Sequence, residues 1–479
     1  MLCLGVAGLV GAPLPKPYGP VPSPGQLAWH NLELYGFVHF TVNTFTDKEW
    51  GYGDESENSF NPTDFNADQI ARTFQEAGLK ALILTCKHHD GFCLWPSQFT
   101  KHSVKNSSWK EGRGDVVREL SEACRRHGLQ FGVYLSPWDR NHAEYGRPAY
   151  VDYYRQQLRE LLTQYGTVSE LWCDGANGGD GFYGGARETR KIDASKYYDW
   201  KATWALAYQL QPKLVVFSDA GPQIRWVGNE SGEAGDPCWA TYTPHGLKGA
   251  EPAPGLTEYR EGFHGHRDGQ FWMPAEVDVS IRPGWFYHAA EDARVRTPEN
   301  LLKLYFQSVG RGASLLLNVP PDRRGQIHEN DVAALRGFKQ RLDAIFTDNL
   351  AAGAQAVPSN VRGQDRQFSA DNVLDSDRET FWSTEDGITQ PALELRLARE
   401  TTFNVLSLRE YLPLGQRVDE WAVDRWGNGQ WIEFARGQAI GNRRLWRGEN
   451  QTTSRVRLRV VKAPVCPAIA EFSLHFDPK

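Results

Sequence analysis

Long hydrophobic runs are absent from this sequence of 479 residues, since no apolar stretch approaches the roughly 20 residues that a membrane-spanning helix needs. A basic excess is absent too, because 53 Lys and Arg stand against 59 Asp and Glu, for a net charge of -6. Nucleic-acid binding depends largely on positive charge that neutralises phosphates, so the composition excludes a nucleic-acid partner. A membrane-spanning chain is excluded as well.

Paired cysteines are also lacking. The seven cysteines are odd in number and contain no CxxC pair or zinc-knuckle spacing. They are Cys3, Cys86, Cys93, Cys124, Cys173, Cys238 and Cys466. This pattern predicts free, mostly buried thiols.

The N-terminus has an apolar run from Leu2 to Val10 but lacks the basic residues that begin a signal peptide. Two interpretations stay open for residues 1–25: a flexible terminus, or the remnant of an export signal. Export would place the protein in the periplasm or outside the cell, and the alternative is the cytoplasm.

Aromatic residues are abundant, with 17 Trp, 18 Tyr and 23 Phe. Their flat faces suit stacking on sugar rings, although a large core uses the same residues. The composition therefore favours a carbohydrate ligand, with core packing as the alternative.

Short apolar runs alternate with amphipathic stretches over residues 26–348, which is typical of a parallel (β/α)8-like TIM barrel. The predicted strands are Leu34 to Phe40, Ala81 to Lys87, Gln130 to Pro137, Val168 to Gly175, Lys213 to Ala220, Pro274 to Ile281 and Ala313 to Pro320. The strand count of the second half stays open, so we expect a partly irregular barrel.

Strand alternation replaces the helical pattern over residues 349–479. In SRVRLRVV, three apolar residues (Val456, Leu458, Val460) alternate with three arginines (Arg455, Arg457, Arg459). This predicts a separate all-β sandwich domain.

Asp174 is a candidate nucleophile at the end of the fourth predicted strand. Alternation places Trp172 and Asp174 on one face and Cys173 on the other. The reactive groups of such barrels lie at the carboxyl ends of the strands. The alternative is a structural aspartate that caps the following loop.

Three histidines lie at the ends of the first two strands. His39 is the last residue but one of the first strand, and His88 and His89 follow the second. Hydrogen bonding to a hydroxyl-rich ligand explains them, and a metal site is the alternative, although no HxH or HExxH motif completes one.

Arg225 and Glu230 fall in the segment after the fifth strand, which we interpret as a loop at the same end of the barrel. Glycoside hydrolysis needs a second carboxyl besides the nucleophile. Glu230, Glu233 and Glu276 can each supply it.

Five motifs together resemble the motif set of glycoside hydrolase family 29, the α-L-fucosidases. They are GFVHF, KHHDGF, LWCDG, WxPxE with SIRPGWFYH, and LLLNVPPDRRG, in this order over most of residues 30–345. The resemblance implies a retaining exo-hydrolase that removes terminal α-L-fucose from a fucosylated oligosaccharide through a covalent fucosyl-enzyme intermediate. It implies no cofactor and no metal in catalysis.

The resemblance also implies roles for individual residues. Asp174 matches the nucleophile, and a larger set matches the sugar-contacting positions: His39, Trp50, His88, His89, Tyr134, Trp172 and Trp285. The segment FSDAGPQIRWVGNE resembles the branch that acts on α-1,3/1,4-linked fucose of Lewis-type glycans, which makes Glu230 the acid/base and Arg225 a substrate contact. An extra loop around Asp180 to Ile192 is expected to reshape the side of the leaving group.

The segment SADNVLDSDRETFWST in the C-terminal domain resembles the opening of discoidin-like carbohydrate-binding domains. That resemblance implies a structural calcium at the turn from Asp371 to Asp377, and the alternative is a module that only supports the barrel.

Three alternatives to an α-1,3/1,4-specific fucosidase stay open. The first is a broad-specificity α-L-fucosidase, and the second is a carbohydrate-binding protein without catalysis. The third is a metal-dependent barrel hydrolase that uses His88 and His89.

Overall fold

A computed structural model describes residues 11–478 of the chain. These residues form two compact units. The barrel unit comprises Ser23–Val309 and Ala313–Asp343, and the C-terminal unit comprises residues 11–22, Gly310–Gly312 and residues 344–478.

The barrel unit contains a closed barrel of parallel strands in sequential order, with the last strand paired to the first. Its strands are β1 (Leu34–Val38), β2 (Ala81–Lys87), β3 (Gln130–Leu135), β4 (Glu170–Trp172), β5 (Val215–Ser218), β6 (Ile224–Trp226), β7 (Ala275–Ser280) and β8 (Ser314–Asn318). Antiparallel pairs join Gly179–Gly181 to Glu188–Arg190 and Thr241–Tyr242 to Phe271–Trp272. The predicted TIM-barrel fold is therefore confirmed.

The α-helices are α1 (Pro24–His30), α2 (Val42–Thr46), α3 (Ala67–Glu76), α4 (Val116–Arg126), α5 (Pro148–Gln164), α6 (Trp200–Leu210), α7 (Pro298–Gln307) and α8 (Glu329–Phe346). Side chains cap the first turns of α3 and α4: Asn66 accepts from the Gln69 amide before α3, and Asp115 accepts from the Arg118 amide before α4.

Strand β6 corrects the sequence interpretation, which placed Arg225 and Trp226 in a loop. Residue 224 pairs with Phe217 of β5, and Arg225 pairs with Ala275 of β7. The sequence pattern does not reveal this strand, because it has only three residues and the middle one is charged. Only its neighbours in the barrel give it strand geometry.

The C-terminal unit is antiparallel and all-β, as predicted. Its strands are β9 (Gln355–Pro358), β10 (Trp382–Ser383), β11 (Ala392–Glu410), β12 (Glu420–Gly427), β13 (Gln430–Gln438), β14 (Arg444–Lys462) and β15 (Ala468–His475). They run in the order β10-β15-β11-β14-β12-β13, with β9 on β11. Val456, Leu458 and Val460 are buried in one core with Trp382 and Trp421, so the alternation predicted for this strand is confirmed.

Residues 11–22 belong to the C-terminal unit, so the prediction of a flexible terminus does not hold for this part of residues 1–25. The Ala12 amide donates to Asp365 Oδ2 at 2.7 Å, and the Tyr18 amide donates to the Leu414 carbonyl at 3.0 Å. The apolar run from Leu2 to Val10 lies outside the described residues, so export stays a prediction.

Six cysteines are free and buried, and Cys3 lies outside the described residues. Within residues 11–478, no helix combines the length and hydrophobicity needed to cross a bilayer.

Candidate active site

A cavity with two adjoining lobes opens where the barrel strands end. The histidine lobe, about 200 Å³, is lined by Phe37, His39, Glu49, Trp50, His88, His89, Tyr134 and Trp285. The Tyr259 lobe, about 300 Å³, is lined by Gly175, Phe217, Asp219, Trp226, Leu247, Gly255, Thr257 and Tyr259. Both lobes share a junction formed by Trp172, Asp174, Ala176, Glu230 and Asp278.

Asp174 lies just beyond β4, and two donors fix its carboxylate. Its Oδ2 accepts from the Tyr134 hydroxyl at 2.9 Å, and its Oδ1 accepts from the Ala176 amide at 2.7 Å. His89 Nε2 is 3.8 Å from Oδ2. Because the side chain stays partly exposed at the junction, it can reach a bound ligand.

The three histidines all line the histidine lobe. His39 Nδ1 is 2.8 Å from Asn318 Oδ1, and His89 Nδ1 is 2.7 Å from Ser136 Oγ. Burial lowers the pKa of His39 to about 3 and also lowers the pKa values of His88 and His89. All three are therefore neutral near pH 7. Because Nδ1 of His39 and of His89 is already hydrogen bonded within the protein, Nε2 is the atom that each of these two rings has left for a hydroxyl-rich ligand.

Aromatic rings form the walls of the cavity. Trp172 stacks on Phe217 with ring centroids 4.3 Å apart, and its indole N–H donates to Glu276 Oε1 at 2.7 Å. Trp285 lies 5.1 Å from the ring of His39. Trp50 is exposed and makes an edge contact with His89 at 5.2 Å.

Glu230 is the second carboxyl of the junction that the sequence singled out. The Trp285 indole N–H approaches its Oε2 at 3.3 Å. Partial burial raises the pKa of Glu230, and the negative charges of Asp174 and Glu49 raise it further. A carboxyl with a raised pKa suits a general acid, which must hold its proton until the leaving group departs.

The other two carboxyls proposed for this role do not line the cavity. Glu233 Oε1 accepts from Gln307 at 3.1 Å. Glu276 is fully buried in the barrel, where it accepts from Tyr35 and Trp172. The geometry therefore favours Glu230.

The prediction that Arg225 contacts the substrate is wrong. Arg225 is 0% exposed and points away from the barrel interior, because Ile224 and Trp226 take the inward positions of β6. Its guanidinium donates to the backbone carbonyls of Gly262 and Trp239 at 3.0 and 2.8 Å, and also to that of Met273. Arg225 thus anchors surrounding loops.

Three residues of the site were missed from the sequence. Glu49 accepts from the backbone amides of Trp285 and Phe286 at 2.9 and 3.2 Å, which positions the Trp285 loop. Asn318, at the end of β8, orients His39. Asp278 lies at the junction, and alternation within the predicted strand from Pro274 to Ile281 carried the signal that would have found it.

The segment around Asp180 to Ile192 forms a short hairpin, Gly179–Gly181 with Glu188–Arg190. Its residues are not among those that line either lobe. The Tyr259 lobe is walled in part by the segment from Leu247 to Tyr259. An effect of the hairpin on the leaving-group side stays a prediction.

Potential metal ligands converge elsewhere. Within residues 11–478, the one group of three His, Cys, Asp or Glu side chains with converging ligand atoms is His245, Glu261 and His266. His88 and His89 are not part of it, so among the described residues no group of three such ligands assembles around them.

In the turn from Asp371 to Asp377, the Asp375 carboxylate accepts from the Asp377 amide and the Thr380 hydroxyl. No three side chains of this turn form such a group, so the side chains do not fit a calcium site by themselves. Calcium binding and the discoidin-like resemblance stay predictions.

A closed parallel barrel whose strand ends hold several carboxyls among aromatic rings and neutral histidines is typical of a glycoside hydrolase. Comparisons with known proteins agree. The α-L-fucosidase family model matches residues 18–344. Alpha-L-fucosidase 1 of Arabidopsis thaliana is 42% identical over 471 residues, which are 97% of this chain and 89% of that protein.

Two solved structures are similar over nearly the whole chain. A glycoside hydrolase 29 family member from an unknown rumen bacterium is 40% identical with a TM-score of 0.84, covering 97% of this chain and 78% of that one. The GH29 fucosidase of Ruminococcus gnavus, solved in complex with fucose, is 31% identical with a TM-score of 0.86, covering 99% and 98%. The chain therefore belongs to glycoside hydrolase family 29, the α-L-fucosidases.

Proposed function

We propose that this protein is a retaining exo-α-L-fucosidase with Asp174 as nucleophile and Glu230 as acid/base. The observation that carries the proposal is that these two carboxyls share the junction while their surroundings differ. Asp174 accepts two hydrogen bonds that fix the position of its carboxyl group, whereas Glu230 has a raised pKa that favours its proton. The fucose-bound structure of a 31% identical relative supports the choice of sugar.

Two displacements at the anomeric carbon make up the reaction. In the first, an Asp174 oxygen bonds to C1 of fucose, the bond from C1 to the leaving oxygen breaks, and Glu230 gives that oxygen its proton. In the second, ionised Glu230 takes a proton from water, the water oxygen bonds to C1, and Asp174 leaves as a carboxylate. The neutral histidines and the Trp172 and Trp285 rings hold the sugar.

The Tyr259 lobe is our candidate for the leaving-group side. It adjoins the junction and mixes apolar Leu247 and Tyr259 with polar Asp219 and Thr257, a surface suited to a branched sugar. This supports α-1,3/1,4-linked fucose of Lewis-type glycans as the substrate.

The test compares wild type with Asp174→Ala, Glu230→Ala and Glu233→Ala on a Lewis-type trisaccharide and an aryl α-L-fucoside. We expect Asp174→Ala to be inactive on both. The activity of Glu230→Ala on the trisaccharide should fall by at least about 100-fold, because a poor leaving group needs the acid. Azide should restore its turnover of the aryl fucoside, since azide attacks the intermediate without a base.

Glu233→Ala is the matched control, because this nearby glutamate does not line the cavity. It should keep near wild-type activity. Full activity of Glu230→Ala on the trisaccharide would refute its role, and NMR detection of β-L-fucose as the first product would refute retention. A wild type that binds fucosides without hydrolysing them would favour the binding-protein alternative.

A further inference from the structure

Asp278 is a third carboxyl at the junction, and the mechanism above does not use it. It lies on β7, where alternation places Glu276 and Asp278 on one face and Val277 and Val279 on the other. The face of Glu276 and Asp278 is the inner one, because both side chains accept hydrogen bonds from tryptophans of other barrel strands.

The two oxygens of Asp278 have different surroundings. Oδ1 accepts from the Trp226 indole N–H at 2.7 Å. No other residue within 11–478 hydrogen bonds to Oδ2, and no Lys or Arg in that range pairs with the carboxyl. The side chain is only 4% exposed yet lines both lobes, so Oδ2 is left for whatever occupies the cavity.

The charge around Asp278 favours its neutral form. Burial raises its pKa well above the usual range, and the negative charges of Glu230 and Glu276 raise it further. A protonated carboxyl carries an O–H donor, and every oxygen of a sugar can accept. A buried donor without a partner is unfavourable, so a ligand oxygen would satisfy it.

We propose that Asp278 is a substrate-binding residue that contacts the fucoside through Oδ2 at the junction, beside the bond that Asp174 and Glu230 cleave. The assignment rests on the proposed fucosidase function and adds a specific contact to it. Asp278 acts as a hydrogen-bond donor to a substrate oxygen and transfers no proton, while Trp226 holds the other end of the carboxyl.

The experiment compares Asp278→Asn with Asp278→Ala. The Asn side chain keeps an oxygen for Trp226 and an N–H donor for the substrate, whereas Ala removes both. We expect Asp278→Asn to keep kcat/KM within about threefold of wild type, and Asp278→Ala to lose about tenfold, which is the scale of one neutral hydrogen bond. Calorimetric affinity for L-fucose should fall by a similar factor in Asp278→Ala alone.

Trp226→Phe separates binding from a structural role. It removes the indole N–H that holds Asp278 but keeps an aromatic ring. If Asp278 only positioned Trp226, adding Asp278→Ala to Trp226→Phe would change nothing further. We expect instead that the double variant loses a further several-fold in fucose affinity.

Thermal unfolding of each variant is measured first, and Asp278→Val replaces Asp278→Ala if that variant does not fold. Unchanged kcat/KM and fucose affinity in the variant that lacks the carboxyl would overturn the assignment. So would an Asn variant as impaired as Ala, or a shifted limb in its pH profile, because either result requires an ionised carboxylate. A wild type that neither binds nor hydrolyses fucosides would overturn the proposed function itself.

Discussion

Asp174 and Glu230 divide their roles through the groups that donate to them. Asp174 accepts hydrogen bonds from a tyrosine hydroxyl and a backbone amide, each within 3 Å, which hold its side chain in place for attack. Glu230 receives one longer contact from the Trp285 indole and faces the charges of Asp174 and Glu49. The balance at Glu230 is therefore sensitive to single substitutions.

Trp285→Phe and Glu49→Gln should shift the pH profile in opposite directions. The acid must be protonated, so activity falls as the pH rises through the pKa of Glu230. Losing the indole donor raises that pKa, and losing the negative charge of Glu49 lowers it. We expect the basic limb of kcat/KM to move up by a few tenths of a pH unit in Trp285→Phe and down in Glu49→Gln, measured on the Lewis-type trisaccharide, whose poor leaving group needs the acid. Shifts in the same direction would contradict this account.

At the scale of elements, β4 and β7 bring two carboxyls together in the barrel core. Glu170 and Glu276 are both fully buried, and within residues 11–478 neither pairs with a Lys or Arg. Burial and the charge of Glu276 raise the pKa of Glu170 well above its usual range, and burial raises the pKa of Glu276. The folded state therefore holds protons that the unfolded chain releases near pH 4.5.

Glu276→Gln should reduce the loss of stability that these buried carboxyls cause at high pH. The stability that a raised carboxyl pKa contributes is complete below the ordinary pKa and is lost as the pH rises through the folded-state pKa. Gln does not ionise and still accepts from Trp172. We therefore expect the free energy of unfolding of the variant, compared with that of wild type, to be on the order of 1 kcal/mol more favourable at pH 8 than at pH 5. Urea denaturation at both values measures it.

Glu410→Gln is the matched control in the C-terminal unit. Glu410 is also buried, but its oxygens accept from the amides of Arg417, Val418 and Gly441. Gln would turn a donor toward one of these donors, so we expect a loss of about 1–3 kcal/mol at both pH values. A gain in stability in Glu410→Gln would show that removing any buried carboxyl stabilises the protein, whatever its hydrogen bonds.

Elements with continuous apolar runs could be predicted from the sequence, and so could Asp174, because alternation from Trp172 places it. Strand β6 could not, since its identity depends on hydrogen bonds from β5 and β7 rather than on its own three residues. The prediction that Arg225 contacts the substrate was wrong for the same reason, because it placed Arg225 in a loop and not in this strand. Glu49 depends on which loops meet across the barrel end, which no local pattern encodes.

At the scale of the whole molecule, the buried neutral histidines make stability depend on acid. The unfolded chain binds a proton at His39 below about pH 6.5, whereas in the folded state its pKa is about 3. Its contribution is therefore complete above pH 6.5 and is lost as the pH falls toward 3.

His39→Asn should lose this dependence. Between pH 7 and pH 5, the free energy of unfolding of wild type should fall by on the order of 2 kcal/mol more than that of the variant. The exposed His264, replaced by Asn, is the control and should follow wild type. Equal slopes for wild type and His39→Asn in urea denaturation would contradict the neutral state of His39.

Deletion of residues 1–22 should destabilise the C-terminal unit around residues 412–418, which lie far along the sequence from the deleted segment. The deletion removes the Lys16 carbonyl that accepts from Arg417 and the Tyr18 amide that donates to Leu414. We expect faster amide exchange over residues 412–418, followed by mass spectrometry, with β2 as the internal reference. Unchanged exchange there would mean that the segment adds no protection.

This split unit has a consequence for synthesis on the ribosome. Residues 11–22 are made before the barrel unit, but most of their partners begin at residue 344, after residues 23–343 have been made. At about 5–20 residues per second, the early segment waits roughly 15 to 65 s for its sheet. All residues of the barrel unit can therefore be synthesised before the C-terminal unit can begin to fold, because that unit needs both the early and the late parts of the sequence.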